Sequence, residues 1–234
     1  MPAPTALELL WGTQQRARRG PKPALSLDRI VGEAIALADA EGLANLSMQR
    51  LAERLGFTKM SLYRYVPGKA ELTALMLDAA IGTPPPPTPG WRAGLQIWAN
   101  TIFARYSAHP WTIDLTTGQR PVGPNELGWM ETALTALDGT GLTGSERLDT
   151  IVLLNGHVRS LVEQLAPPNT SDDVYATQLA ETMSAVGHLY PAATAAFAEE
   201  SANGHPGNAL QFGIDRILDG LAVLIDRRGL ASPA

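Results

Sequence analysis

Between Thr58 and Tyr65 the chain sets two hydroxyls, two cations and two phenol rings within eight residues: Thr58, Lys59, Ser61, Tyr63, Arg64 and Tyr65. No chemistry of bond cleavage needs that set, which lacks both a carboxylate and an imidazole. Hydroxyls, ammonium or guanidinium groups and aromatic faces are what phosphate oxygens, base edges and thymine methyls accept. The motifs of common hydrolases and nucleotide enzymes do not occur: there is no Gly-rich phosphate loop, no HExxH zinc spacing and no Gly-x-Ser-x-Gly elbow. With no cysteine, thiolate metal sites, disulfides and cysteine nucleophiles are excluded. His109, His157, His188 and His205 lie far apart, and Asp172-Asp173 reads as acid at a helix N-terminus. The reading is therefore no catalytic residue, no metal and no cofactor. The alternative is a helical enzyme or ligand-binding protein whose helix-turn-helix is only structural.

A short helix must hold the 58–65 set outward. Ser47 caps "SMQRLAERLG", with Leu51 and Leu55 as its stripe and Gly56 as its stop, and Thr58 opens the next helix before Pro67-Gly68. Two short helices joined at a glycine make a helix-turn-helix, with small Ala52 at the close approach and Leu51, Leu55, Leu62 and Val66 as shared core. A capped helix from Ser26 to Gly42 precedes the pair, and Lys69 to Ile81 follows it.

Charge is segregated. The net charge of −5 divides into +2 over residues 1–82 and −7 over 83–234, and positions 9–27 carry Arg16, Arg18, Arg19 and Lys22 without an acid. Two readings of that basic arm stand: a solubilising tail, or a strand of cations that tracks phosphates or enters the minor groove. "GTPPPPTPGW" is the clearest boundary, because four prolines cannot continue a helix and hold the chain extended. The expected organisation is a basic arm over 1–25, a helix-turn-helix domain over 26–82, a proline-rich connector over 83–90 and a helical domain over 91–234. Helices are expected at about 91–108, 125–138, 144–166, 172–187 and 208–228, with a turn near 110–117 and another helix at 191–201. Alternating strand patterns are absent, so the fold class is all-α. No apolar run reaches signal-peptide or membrane-span length, which places the chain in the cytoplasm.

The run "SMQRLAERLGFTKMSLYRYVPGKAELTALMLD" resembles the DNA-binding domain of tetracycline-repressor (TetR) type transcriptional regulators over nearly all of residues 26–82. The resemblance implies phosphate contacts from Tyr63 and Lys69 and base contacts near Lys59, Met60 and Ser61. Thr58, Tyr65 and Ser47 complete the expected DNA contacts, with the arm's Arg16, Arg18, Arg19 and Lys22.

"FGIDRILDGLAVLI" resembles the last helix of the tetracycline-repressor subfamily, which implies a homodimer through helices near 146–165 and 208–228. Leu210, Ile214, Ile217, Leu218 and Leu221 form its stripe, with Gly213 and Gly220 allowing close approach. Resemblance over about 91–166 implies an effector pocket lined by Trp98, Ile102, Met130, Val152 and His157, with Tyr106 and Trp111 as neighbours. Taken singly, each of these reads more readily as core. The subfamily's metal-binding histidine is missing from "DLTTGQRP" and its pocket glutamate is replaced by Leu165, so an unchelated hydrophobic molecule fits better than metal–tetracycline. The implied function is a repressor released from a palindromic operator by a small hydrophobic effector.

Overall fold

The computed structural model describes residues 4–12, 25–117, 119–165, 172–203 and 208–231. Among these, every regular element is helical, as the patterning requires. The helices run α1 (Ala6–Gly12), α2 (Leu27–Glu41), α3 (Met48–Leu55), α4 (Lys59–Tyr63), α5 (Lys69–Ile81), α6 (Trp91–Ala108) and α7 (Thr112–Leu115). They continue with α8 (Pro124–Ala136), α9 (Gly144–Leu165), α10 (Asp172–Val186), α11 (Pro191–Asn203) and α12 (Ala209–Ala231). Two departures from the sequence reading lie near the start. Residues 6–12 of the expected arm form α1, and α4 stops at Tyr63, with Arg64 and Tyr65 in a turn. Arg16, Arg18, Arg19 and Lys22 lie outside the described residues.

The capping signals are realised as hydrogen bonds. Ser26, Ser47 and Thr58 each accept from the backbone N–H three residues on, at 3.2 Å. Each satisfies a donor that the first turn of a helix cannot pair internally.

Two apolar cores result. The first joins α1 to α5 around Ile30, Leu37, Leu51, Leu62 and Met76. The second joins α6, α8, α9 and α12 around Leu95, Trp98, Leu137, Leu154, Ile214 and Leu218. Helix α5 belongs to both: Leu72, Leu75 and Met76 face the first core, Leu77 and Ile81 the second. A helix apolar on nearly every side must be enclosed, and α5 is enclosed by two bodies at once.

The proline connector lies against the second core. Pro84 sits beside Gly128, where an added Cβ would be 3.6 Å from its ring, and the indole N–H of Trp129 donates to the Gly82 carbonyl at 2.8 Å.

Candidate nucleic-acid interface and effector domain

Gly56 turns α3 into α4 in the left-handed region, at φ 74°, where only glycine is unstrained. The turn closes with Phe57 N–H donating to Ala52 O at 3.0 Å. Leu62 and Val66, fully buried, then seat α4 on α2 and α3. The cations of α3 do not face outward freely, for Arg50 pairs with Glu41 and Arg54 with Glu33 at 2.7 Å, both across to α2. Exposed positive charge near the turn is left to Lys59, Arg64 and Lys69, all solvent-facing.

The structure brings most of the expected DNA contacts onto one end of α4. Thr58 and Lys59 are exposed, and Met60 is 73% exposed despite being apolar. An apolar side chain held in water at the start of a capped helix is suited to a partner surface, and a thymine methyl is one. Ser61 is half-buried, its hydroxyl 2.9 Å from that of Thr58. The expectation that Tyr63 and Tyr65 point largely outward is only half met: both are half-buried, their rings packed on the first core. Their rings fill the gap a five-residue helix leaves. Lys59 Nζ lies 5.5 Å from the Tyr63 ring centroid, which holds the ammonium on the outer face. Ser47 is occupied as the cap of α3.

The expected effector residues part into four places. Trp98, Ile102 and Tyr106 meet in the second core on α6, where Trp98 packs edge-on against Trp129 at 5.8 Å and donates to its carbonyl at 2.8 Å. Trp111 lies apart, in the first core, donating to Asp39 of α2 at 2.6 Å, while His109 Nδ1 meets the same carboxylate oxygen at 2.8 Å. The turn after α6 thus grips the DNA-side domain. His157 faces α12, its Nε2–H donating to the Leu210 carbonyl at 3.1 Å, with its ring in the space a Gly213 side chain would need. Val152 is 69% exposed on α9, beside exposed Leu148 and Leu153, and Met130 is exposed on α8.

Polar residues around Tyr106 escaped the sequence reading. The Tyr106 hydroxyl donates to Asn155 Oδ1 at 3.4 Å, and burial pushes its pKa up to about 12, so the phenol stays protonated. The charges of Glu126, Arg159 and Arg120 act on it. Arg120 forms a two-point pair with Glu126 at 2.5 and 2.6 Å, which raises the already high pKa of the guanidinium. The Nε atoms of Arg120 and Arg159 are buried without a hydrogen-bond partner among the described residues. The Nε of Arg147, at the start of α9, is in the same condition, and a buried donor left unmet is costly. The signal in the sequence is the arginine of "DLTTGQRP", read there only for its missing histidine.

Asp78, buried on the last turn of α5, ties this region to the DNA-side domain. Its carboxylate accepts from the N–H of Asn125 at 3.0 Å and of Glu126 at 3.1 Å, capping α8 from another helix. Burial is the main cause that raises its pKa, partly offset by these hydrogen bonds.

A surface between α9 and α12 completes the domain. A groove of about 430 Å³ runs along Thr150, Leu153, Ile217, Gly220, Leu221 and Leu224. No helix among the described residues is long and apolar enough to cross a membrane, and these residues hold no cluster of three or more metal-ligating side chains.

Comparison with known proteins gives a consistent result. The family described as bacterial regulatory proteins, tetR family, matches residues 30–76, and the tetracyclin repressor-like C-terminal domain matches residues 83–225. The HTH-type transcriptional repressor DrrR1 of Streptomyces coeruleorubidus is 41% identical over 242 residues, covering 97% of this chain and 88% of its own. The class E tetracycline repressor protein of Escherichia coli is 30% identical over 129 residues, covering 53% and 61%. The structure of ActR from Streptomyces coelicolor in complex with actinorhodin superposes with a TM-score of 0.71 at 27% identity, covering 88% of this chain and 99% of that one.

Proposed function

The chain belongs to the tetR family of bacterial regulatory proteins, and on that premise we propose that it is a dimeric repressor, working in the cytoplasm and released from a palindromic operator by a small, largely aromatic effector. The observation that carries the DNA half is α4 itself, buried through Leu62 and held by Val66 just beyond it, while it presents Thr58, Lys59 and exposed Met60. Tyr63 and Lys69 take phosphates, and Arg16, Arg18, Arg19 and Lys22 add charge along the backbone. Support for repression comes from DrrR1, a repressor over nearly the whole length.

A dimer is supported by the outward faces of α9 and α12. Leu148, Val152, Leu153, Phe212 and Val223 are exposed large apolar residues there, and a second copy of the same helix pair would cover them as a four-helix bundle. Two subunits then set their α4 helices about 34–36 Å apart, one turn of the double helix.

The effector site we propose lies around Tyr106. Trp98, Ile102 and Trp129 supply aromatic and apolar walls, while Arg120, Arg159, Asn155 and the protonated Tyr106 supply polar ends. Such a site fits a small, mostly apolar molecule with polar groups at its ends, and ActR, to which this chain is similar, is solved in complex with actinorhodin. Glu126, whose carboxylate accepts from Arg120 while its backbone N–H donates to Asp78, carries the change to Asp78 and so to α5.

The test is linkage. A duplex selected by the protein is titrated with and without actinorhodin or a related aromatic polyketide, and the ligand is titrated with and without duplex. Release requires that each weakens the other by the same factor. Equal ligand affinity in both titrations contradicts the proposal.

A further inference from the structure

The first helix has no part in that scheme, yet it too touches both bodies at their joint. Leu10 is 2% exposed, buried in the first core where α1 packs on α5. One residue on, the Trp11 indole N–H donates at 3.1 Å to the carbonyl of Val122, immediately before α8. A seven-residue helix has no stability of its own in water, so α1 is helical because it is docked. A capping box, with Thr5 N–H donating to Glu8 Oε2 at 2.8 Å and Glu8 N–H to Thr5 Oγ1 at 3.2 Å, trims its first turn. The helix lies outside both matched family ranges, 30–76 and 83–225.

Val122 precedes Gly123, the residue whose missing side chain leaves room for the Asp78 carboxylate. The same joint is thus held from inside, by Asp78 on the α8 N-terminus, and from outside, by Trp11 on the approach to it. Two features make the outer hold releasable. Trp11 and Val122 are both part-exposed, at 39% and 43%. Beside Leu10 an open groove of about 320 Å³ runs between α2, α5 and the start of α8, along Leu27, Val31, Ile35, Leu75 and Pro124, so α1 is not packed over that side of the joint.

We infer that α1 is an intramolecular strap, fastened by Leu10 to α5 and by Trp11 to the segment before α8, which holds the two domains in one relative orientation and thereby sets where α4 stands. The strap limits the swing that an effector must produce, and its release is a second route to a dimer with misplaced α4 helices.

The chain contains no cysteine, so paired spin labels go on cleanly at Met60→Cys on α4 and Glu131→Cys on α8, both exposed positions. Labelled chain is diluted with unlabelled chain, and the label-to-label distance is measured in the full protein by electron double resonance. The parent gives one narrow distribution. Leu10→Ala/Trp11→Phe replaces it with a broad or divided one, with a loss of helix no larger than the seven residues of α1, and Trp11→Phe alone, which deletes only the donor, gives an intermediate result. If the present orientation falls to about a tenth of the population, affinity for a selected duplex falls about tenfold. Parent-like distances in both variants overturn the strap, and a lower melting temperature with parent-like distances does so as well, because α1 is then only a stabilising patch. The distances need neither operator nor effector. Failure of the regulatory reading would appear instead as absence of duplex binding by the parent.

Discussion

Gly123→Ala is a single methyl group placed against the joint between α5 and α8. Gly123 has an ordinary φ of −86°, so the backbone would accept alanine without strain. The obstacle is steric: an added Cβ would stand 2.1 Å from Asp78 Oδ1 and 2.3 Å from its Cγ, well inside any non-bonded contact. The carboxylate must leave, and with it go the acceptors for the N–H groups of Asn125 and Glu126. Losing a helix cap costs about 1–2 kcal/mol, and overpacking a filled site adds about 1–3 kcal/mol. Together these come to about 2–5 kcal/mol, and for a protein of this size each kcal/mol is worth about 2–4 °C, so the melting temperature should fall by roughly 4–20 °C. Gly128→Ala is the matched control on the same helix. Its Cβ would meet only Pro84 at 3.6 Å, an ordinary contact, and alanine favours a helix interior by about 0.5–1 kcal/mol. Thermal unfolding followed by circular dichroism at one protein concentration decides the matter. If Gly123→Ala melts within a degree or so of the parent, the Asp78 cap does not hold the joint.

Other perturbations probe separate parts of the structure. Burial raises the folded pKa of Asp78 above its usual 3.8, so the stability associated with its protonated form is fully present below the unfolded value and is lost as pH rises through the folded one. Asp78→Asn does not ionise, and its melting temperature relative to the parent should therefore rise between pH 4 and pH 7; a constant difference would contradict that. Glu146 behaves oppositely, because Arg228 and the Thr143 N–H lower its pKa from 4.5 to about 2. Its contribution is present above 4.5 and lost as pH falls toward 2, so Arg228→Gln should flatten the acid limb of a melting-temperature profile between those values. Leu153→Arg, at a position 60% exposed on α9, should leave the fold intact and yield monomers in sedimentation velocity; persistent dimers would remove α9 from the proposed interface.

How far the sequence reading reached follows from the range of the interactions involved. Ser26, Ser47, Thr58 and Gly56 were readable because a cap or a left-handed stop is decided within four residues. The same holds for the stripe Ile214, Leu218 and Leu221, whose spacing already defines a buried face. Gly213 was expected to permit close helix approach, and the His157 ring fills that space, although His157 itself was assigned to a pocket. Resemblance to the subfamily puts Trp111 near the effector, whereas its partner, Asp39, is 72 residues away. Helix α1 was hidden because seven residues beside a run of arginines carry no helical signal until α5 is there to receive Leu10. Nothing local marks Asp78, because only the fold brings the α8 N-terminus and Gly123 to it. The outward faces of Val152 and Leu153 were equally ambiguous, since an apolar residue in a stripe does not say whether its own chain or a second copy covers it.

The most direct test of the central claim is selection from a random duplex pool by the purified protein, with Tyr63→Ala/Lys69→Ala as the comparison. An inverted repeat should be enriched by the parent, with half-site centres about one helical turn apart, and should be lost in the double variant. No enrichment by a folded, ligand-free protein would mean that α3 and α4 serve only as structure.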